Sequence, residues 1–448
     1  MRLQMKSNFQ LAKENFDKGS KSFNDGLYLE AEKYFNLSIK YLPDRVSTLS
    51  SLLITKISLK KINECEEIIL KINKIDKDYP YGIYAKALYY GSKLDFIKSN
   101  EELLSLINKK NLSNENLSTF YNCLGTNYAQ LSNNKKSIQC HLKAINLNSE
   151  NNEAYFNLGT RYLHENNFKD GWKYYEYRLK KNKLPHDKYP IKIEEIFKKK
   201  VLIRHEQGFG DTIQFSRLLN HLSEYTKDID FLIPESLKDL FDIKNVNIIY
   251  YLDENTNYDY EIYLMSLPYF LNLDLGDPPK ISHINEDLLK KVIKKNNILK
   301  IGLAWSGNEN YNFDILRSLK LSYLKKILDL KDLNNINFYC LQRDIRKIDL
   351  NYFKELNINY LGDLKFANLA KEIIKMDLVI SSDTSILHLS SSLGVKTYGL
   401  LPFAADWRWA DNEIKTNWYE SLEIFRLKKD QSWENLSEKI ADKIKEIK

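Results

Sequence analysis

Three short segments of this 448-residue chain hold the residues whose types and spacing could do chemistry. The first is Glu206-Gln207-Gly208-Phe209-Gly210-Asp211-Thr212-Ile213-Gln214. Its two glycines allow a sharp turn and a close approach of a ligand to the backbone. Asp211 opens a helix, where it serves either as an N-cap or as a general base that takes a proton from an acceptor hydroxyl. The two roles can coexist, and spacing alone favours capping. The turn is neither G-x-G-x-x-G nor a P-loop.

The second segment is Ile301-Gly302-Leu303-Ala304-Trp305-Ser306-Gly307-Asn308, followed by Arg317-Ser318-Leu319. A strand ending in small and polar residues can offer backbone N–H groups to a phosphate. Arg317 could supply a fixed charge with a fork that fits diphosphate oxygens, although an isolated Arg more often sits in a surface ion pair. The third is Val379-Ile380-Ser381-Ser382-Asp383-Thr384-Ser385-Ile386-Leu387-His388. Here a buried strand runs into a helix whose free N–H groups, with Thr384 and Ser385, could hold phosphate oxygens. Asp383 would accept from sugar hydroxyls or cap the helix. His388 shares a helix face with Thr384 and would touch donor or phosphate, or else be a satisfied, semi-buried side chain.

The elements that position these segments follow from hydrophobic patterning. Short apolar runs predict strands at 201–203, 231–233, 246–250, 261–264, 301–305, 338–341, 378–381 and 397–401. Helices are predicted between them, at about 211–225, 369–376 and 385–393, with a polar helical stretch at 291–295. Strands alternating with helices predict right-handed crossovers and parallel sheets. Two successive α/β halves suggest two Rossmann-like domains facing a cleft, with ligands beyond the carboxyl ends of the strands.

The first part of the chain repeats. Cys123-Leu124-Gly125-Thr126-Asn127-Tyr128 and Asn157-Leu158-Gly159-Thr160-Arg161-Tyr162 lie 34 residues apart, the tetratricopeptide period. An earlier copy has Gly19, Gly26, Tyr28, Ala31, Phe35 and Pro43. Two degenerate copies with a small insertion are expected between 46 and 113, where Ile62, Cys65, Ile69 and Ile72 recur at helical intervals. Such repeats stack into a superhelix with a concave face that docks a peptide or protein, or they only stabilise the neighbouring part. The expected organisation is a repeat domain at 8–185, a basic, proline-containing linker at 186–200, and α/β domains at 201–298 and 299–448.

Composition narrows the classes. Hydrophobic residues make up 43% and charged residues 28%, enough to bury real cores. Lys and Arg (67) are interspersed with Asp and Glu (60), and no clustered aromatic–basic face supports a nucleic-acid partner. Cys65, Cys123, Cys140 and Cys340 are scattered, so free thiols are expected. Met1 to Gln10 lack an apolar h-region and no run approaches membrane-spanning length, so a cytoplasmic protein without a transmembrane segment is expected.

Taken together, EQGFGDTIQFSRLL, IGLAWSGN with its later RSL, and DLVISSDTSILHLSSSLG followed by LLPFAADWRWA resemble bacterial tetratricopeptide-repeat glycosyltransferases. The catalytic region is similar to the heptosyltransferases and more distantly to the repeat-bearing O-GlcNAc transferase. Gly171 to Arg178 and Trp407 to Trp409 also read like family phrases. The resemblance implies an N-terminal repeat solenoid followed by a GT-B fold whose C-terminal half binds a nucleotide sugar. Asp211 matches the proposed base of the heptosyltransferases, with Gln207, Gly208, Gly210 and Gln214 as the acceptor-side loop. Asp383, Thr384 and His388 match the donor-binding phrase, with Ser382 and Ser385 beside them as further donor-binding candidates, and Trp305, Ser306, Gly307 and Asn308 match the loop opening the second half. Arg317 is the candidate cation for the donor phosphates. The chain departs from the family at Ser385, where glycine usually follows the Asp-Thr pair; a side chain there would narrow the donor pocket. GT-B enzymes generally need no bound metal or other cofactor, because helix dipoles and basic side chains stabilise the leaving diphosphate. Asp228-Ile229-Asp230 matches a metal-binding D-x-D by chance.

The leading expectation is therefore an inverting, metal-independent glycosyltransferase whose repeats present a protein or surface-glycan acceptor. The alternative is a non-catalytic repeat scaffold with a decayed transferase domain. The retention of Asp211, Asp383, Thr384 and His388 argues against decay.

Overall fold

The structure, a computed structural model, describes residues 7–109, 111–253, 255–273, 283–289, 298–309, 314–332, 335–411 and 416–446. The chain divides into two compact units at Arg161/Tyr162.

The first unit is an array of helical hairpins: α1 (Asn8–Asn24) with α2 (Tyr28–Tyr41), α3 (Val46–Ser58) with α4 (Cys65–Asp76), α5 (Pro80–Ser92) with α6 (Phe96–Ile107), and α7 (Asn114–Gln130) with α8 (Asn134–Leu147). The unit boundary falls inside the next helix, α9 (Asn152–His164). The two degenerate repeats expected between 46 and 113 are α3–α4 and α5–α6. Sequence sets these helices locally. At the start of α1, Ser7 Oγ accepts from Gln10 N–H while the Gln10 side chain accepts from Ser7 N–H, a reciprocal cap. Hairpin partners approach where a side chain is missing. A Cβ on Gly19 would come within 2.8 Å of the Phe35 ring, and one on Gly125 within 2.7 Å of the His141 imidazole. Buried serines stitch the crossings: Ser38 Oγ donates to Ala12 O (2.8 Å), Ser118 Oγ to Ala144 O (2.8 Å) and Ser137 Oγ to Gly125 O (2.7 Å). Phe35, Leu53, Ile72 and Tyr89 form one core cluster, and Leu103, Leu106, Phe120 and Leu124 a second.

The second unit continues through α10 (Phe168–Tyr175) and α11 (Tyr177–Lys181) into two parallel sheets. Residues 186–200 are docked: Lys188 O accepts from Glu261 N–H, and Ile193 and Ile196 are buried. The first sheet comprises β1 (Lys200–Arg204), β2 (Asp228–Leu232), β3 (Val246–Ile249) and β4 (Tyr260–Tyr263), in the order β3-β2-β1-β4. The second comprises β5 (Leu299–Ala304), β6 (Ile336–Cys340), β7 (Asn359–Tyr360), β8 (Leu378–Ser382), β9 (Thr397–Leu401) and β10 (Leu422–Arg426), in the order β10-β9-β8-β5-β6-β7. All pairings within both sheets are parallel. The architecture is thus the expected one, helical repeats followed by two Rossmann-like α/β sheets.

Strand order locates the reversal points. In the first sheet, the chain leaves β1 toward β2 and β3 and returns on its other side as β4. In the second it leaves β5 toward β6 and β7, then returns beside β5 as β8. Parallel α/β sheets bind ligands beyond the strand ends at such reversals. The three candidate segments follow β1, β5 and β8.

Several elements differ from expectation. The helix expected over 211–225 is broken into α12 (Phe209–Phe215), a 3₁₀ turn at Ser216–Leu218 and a single turn at Leu219–Leu222. β7, β10 and the final helix Trp433–Lys445 were not anticipated. The expected polar helix at 291–295 lies outside the described residues. Asp228 and Asp230 belong to β2, where Asp230 accepts from Tyr258 Oη (2.7 Å) and Asn247 Nδ2 (2.8 Å), so the D-x-D is part of the sheet's own bonding. The four cysteines are free, and burial pushes the Cys65 and Cys140 thiols up to about 11. No helix among the described residues is long and apolar enough to cross a membrane.

Candidate active site

The turn after β1 is anchored from below. Glu206 is buried and accepts from Arg178 Nε (2.9 Å), Arg178 Nη2 (2.7 Å) and Met265 N–H (3.0 Å). Arg178 is itself 1% exposed and also donates to Glu176 Oε1 (2.5 Å) and Ser266 Oγ (2.7 Å). The Gly171-to-Arg178 phrase therefore supplies the foundation of the loop. Gln207 next adopts a left-handed φ of 60°, held by its amide donating to Tyr175 Oη (2.9 Å). Gly208 then starts α12, and its N–H donates to Asp211 Oδ2 (2.9 Å). The N-cap is therefore Gly208 rather than Asp211, which sits at the third helical position and reaches back to the cap's N–H.

Its other oxygen, Oδ1, accepts from Arg408 Nη2. Arg408 reaches over from the 3₁₀ turn Trp407–Trp409 after β9, donating also to Gln214 Oε1 (3.0 Å) and Asp406 Oδ1 (2.7 Å). Its guanidinium lies 4.4 Å from the Trp407 ring centroid. The turn after β8 meets α12 directly. A Cβ on Gly210 would sit 2.7 Å from His388 Cδ2, so the helix Ser385–Ser392 approaches α12 only because residue 210 has no side chain.

Asp383, at the end of β8, accepts from Trp409 Nε1 through Oδ2 (2.9 Å), and its carbonyl accepts from Arg317 Nη1 (2.9 Å). Arg317 packs on Gly307, whose Cβ position lies 2.7 Å from Nη2. The Arg317 charge is shared with Asp314, which also accepts from Arg346 and from Ser318 Oγ (2.8 Å). Thr384 caps the helix by backbone geometry, and its hydroxyl lies 3.2 Å from Ser381 Oγ. Ser382 is fully buried, and its Oγ finds no hydrogen-bond partner among the described residues. Thr384 and Ser385 are half-buried at the first turn.

The electrostatics are those of a half-buried site that gathers carboxylates and arginines. Burial pushes the Asp383 carboxyl up to about 6; repulsion from Asp406 adds to this, while Trp409, Arg317 and Arg408 oppose it. Burial also raises Asp211, against the pull of Arg408 and the Gly208 N–H. Burial lowers His388 well below the ordinary imidazole range, helped by Arg408, Arg217 and Arg317, so its ring is neutral.

Not every expected residue faces this centre. Trp305 is 0% exposed, with its N–H groups donating to Gln342 Oε1 (2.8 Å, backbone) and Asp349 Oδ2 (2.9 Å, indole). It is a core side chain of the second sheet rather than a donor contact. Ser306 is buried, its N–H donating to the same Gln342 oxygen (3.1 Å), so neither amide points to a phosphate. Gly307 N–H donates to Ser318 Oγ (2.9 Å), and Asn308 is exposed. His388 is buried against Gly210, with Nδ1 2.9 Å from Tyr419 Oη and its ring stacked 5.6 Å from Trp409. Its packing and neutrality leave it no charge for a phosphate. Gln214, fully buried, serves Arg408.

Sequence reasoning took Asp406 to Trp409 only as part of a family phrase, without giving its residues a role, and did not single out Gln342. The signal was present in Asp406-Trp407-Arg408-Trp409, where an Arg between two tryptophans implies a stacked, desolvated cation. Among the described residues no cluster of His, Cys, Asp or Glu could hold a metal ion.

No protein-family model matches the chain, and no curated protein matches it. Among solved structures, the chain is similar to PilF of Pseudomonas aeruginosa at 13% identity, covering 39% of this chain and 77% of that chain with a TM-score of 0.34. It is similar to TTC0263, a thermophilic TPR protein of Thermus thermophilus, at 17% identity, covering 39% and 92% with a TM-score of 0.33. It is also similar to the iron-containing dodecameric glycosyltransferase TibC from enterotoxigenic E. coli, at 11% identity, covering 46% and 58% with a TM-score of 0.36. Likenesses at this level carry nothing about chemistry.

Proposed function

We propose that the chain is a glycosyltransferase of GT-B type that moves a sugar from a nucleotide-sugar donor to an acceptor hydroxyl, with inversion and without a metal. The observation that supports this reading is convergence. The helices that follow β1 and β8, each at a strand-order reversal, meet with Gly210 against His388, and near their starts lie Asp211, bonded by Arg408, and Asp383, whose carboxyl feels the same Arg408 charge.

In this reading the acceptor oxygen attacks the anomeric carbon, the bond from that carbon to the diphosphate oxygen breaks, and the acceptor proton passes to Asp211. Thr384, Ser385 and the first-turn N–H groups face the leaving diphosphate, with Arg317 contributing charge. Asp383 accepts from donor hydroxyls. The helical repeats dock a protein or glycan acceptor. One observation favours the scaffold alternative: both Asp211 oxygens are already bonded within the chain.

A thermal-shift screen with UDP-, GDP-, ADP-, CMP- and dTDP-sugars separates the two. The transferase reading expects one nucleotide class to raise Tm by mass action, and expects Arg317→Ala to diminish that rise. A uniform absence of shift supports the scaffold.

A further inference from the structure

Charged and titratable groups from several elements gather around Asp211 and the helix that holds it. Arg408 and Asp406 come from the turn after β9 and Glu206 from the turn after β1, while the helix after β8 sets His388, 3.8 Å from Asp383 Oδ1, against Gly210. Arg217 follows α12, and Tyr419 precedes β10. Arg408 bonds the carboxylate directly, and it is itself fixed on several sides. Nε is given to Gln214 Oε1 (3.0 Å), Nη1 to Asp406 Oδ1 (2.7 Å), and the guanidinium lies 4.4 Å from the Trp407 ring centroid and 5.7 Å from that of Phe215. An ionised carboxylate has about four acceptor sites. Gly208 N–H on Oδ2 and Arg408 Nη2 on Oδ1 take one on each oxygen, which fixes the rotation of the group and leaves the others for a proton.

We propose that Arg408 is the positioning residue for Asp211, a rigid fork that fixes the direction in which the carboxylate receives a proton while tying the turn after β1 to the turn after β9. The proposal rests on the reading of Asp211 as the base. Arg is required over Lys because three of its N–H groups are committed at fixed angles to Gln214, Asp406 and Asp211, which an ammonium on a flexible stem cannot reproduce. Arg408 also works against the burial that raises Asp211. Removing it therefore moves the carboxyl further up, and the ionised base is present only at higher pH.

The test compares wild type with Arg408→Gln, Arg408→Lys and the milder Asp406→Asn, which loosens the hold on Arg408 while removing a negative charge that raises Asp211. Donor turnover is measured against pH. In parallel, the Asp211 carboxyl is titrated by infrared spectroscopy on ¹³C-aspartate protein, with Asp211→Asn subtracted. The expected result for Arg408→Gln is a kcat fall on the order of tenfold or more at neutral pH, an unchanged donor KM, and an acid limb and Asp211 titration both moved to higher pH. Arg408→Lys restores the limb but not the rate, and Asp406→Asn lowers the rate by less. An unmoved Asp211 titration in Arg408→Gln overturns the proposal, as does an unmoved acid limb with loss at all pH values in proportion to stability. If wild type turns over no donor but the titration moves, the transferase reading falls and the control of Asp211 by Arg408 stands.

Discussion

Asp383 is held in a state that folding alone would not choose. Its carboxyl ordinarily ionises near 3.8, and burial raises it to about 6 in the folded chain. Below the lower value it is protonated whether folded or unfolded, and its contribution to stability is fully present. As pH rises through about 6 that contribution is lost, because the folded state resists ionisation. Asp383→Asn keeps an acceptor for Trp409 Nε1 and removes the ionisation. Calorimetry is expected to show the variant more stable than wild type by on the order of 1–3 kcal/mol above about pH 7, with the gain vanishing near pH 4. Gly210→Ala has the opposite sign. Its Cβ would lie 2.7 Å from His388 Cδ2, and chemical denaturation is expected to show a loss of about 1–3 kcal/mol. At this scale the sequence was legible where a residue's neighbours are near in the chain, as with Asp211 binding the Gly208 N–H at the start of α12, although Gly208 and not Asp211 is the N-cap. It was not legible for Asp211–Arg408 or Trp305–Asp349, whose partners lie far along the chain and are joined only by the sheets.

Elements were legible to the extent that they carry their own pattern. The strand at 397–401 is β9 residue for residue, because all five of its residues are buried and the run is mostly apolar. The two-residue β7 is too short to show a pattern, and β10 is a five-residue run broken by Glu423 and Arg426 behind a polar stretch. The helix expected over 211–225 ends early because Arg217 is drawn inward, donating to Gln214 O (2.8 Å) and Trp418 O (2.8 Å). Tertiary bonding there outweighs helical continuity. The Glu176–Arg178–Glu206 group works in the same way beneath the β1 turn. Arg178→Ala would strand the buried Glu206 carboxylate and the half-buried Glu176. An equilibrium unfolding measurement is expected to lose about 3–5 kcal/mol, with Glu206 no longer anchoring the Gln207–Gly208 turn. In the repeats, Gly125→Ala drives a Cβ to 2.7 Å from the His141 ring. Circular dichroism melting is expected to show a destabilised first unit, at a cost of about 1–3 kcal/mol.

The whole molecule combines two ways of building a core. The first unit buries its apolar surface between neighbours in sequence, which is why a 34-residue spacing in the sequence was enough to reveal it. The second depends on parallel strands whose partners are distant in sequence, and its chemistry gathers where strand order reverses. That gathering gives the transferase proposal its central claim, that Asp211 acts as a base at a nucleotide-sugar site rather than only as a carboxylate that holds the Gly208 N–H and Arg408. The most direct measurement is release of nucleoside diphosphate from the donor that stabilises the protein, comparing wild type with Asp211→Asn, which retains an acceptor for the Gly208 N–H. The account predicts turnover by wild type and a fall of about a hundredfold or more in the variant, with donor binding retained. Equal turnover by both proteins, or none by either, would contradict it.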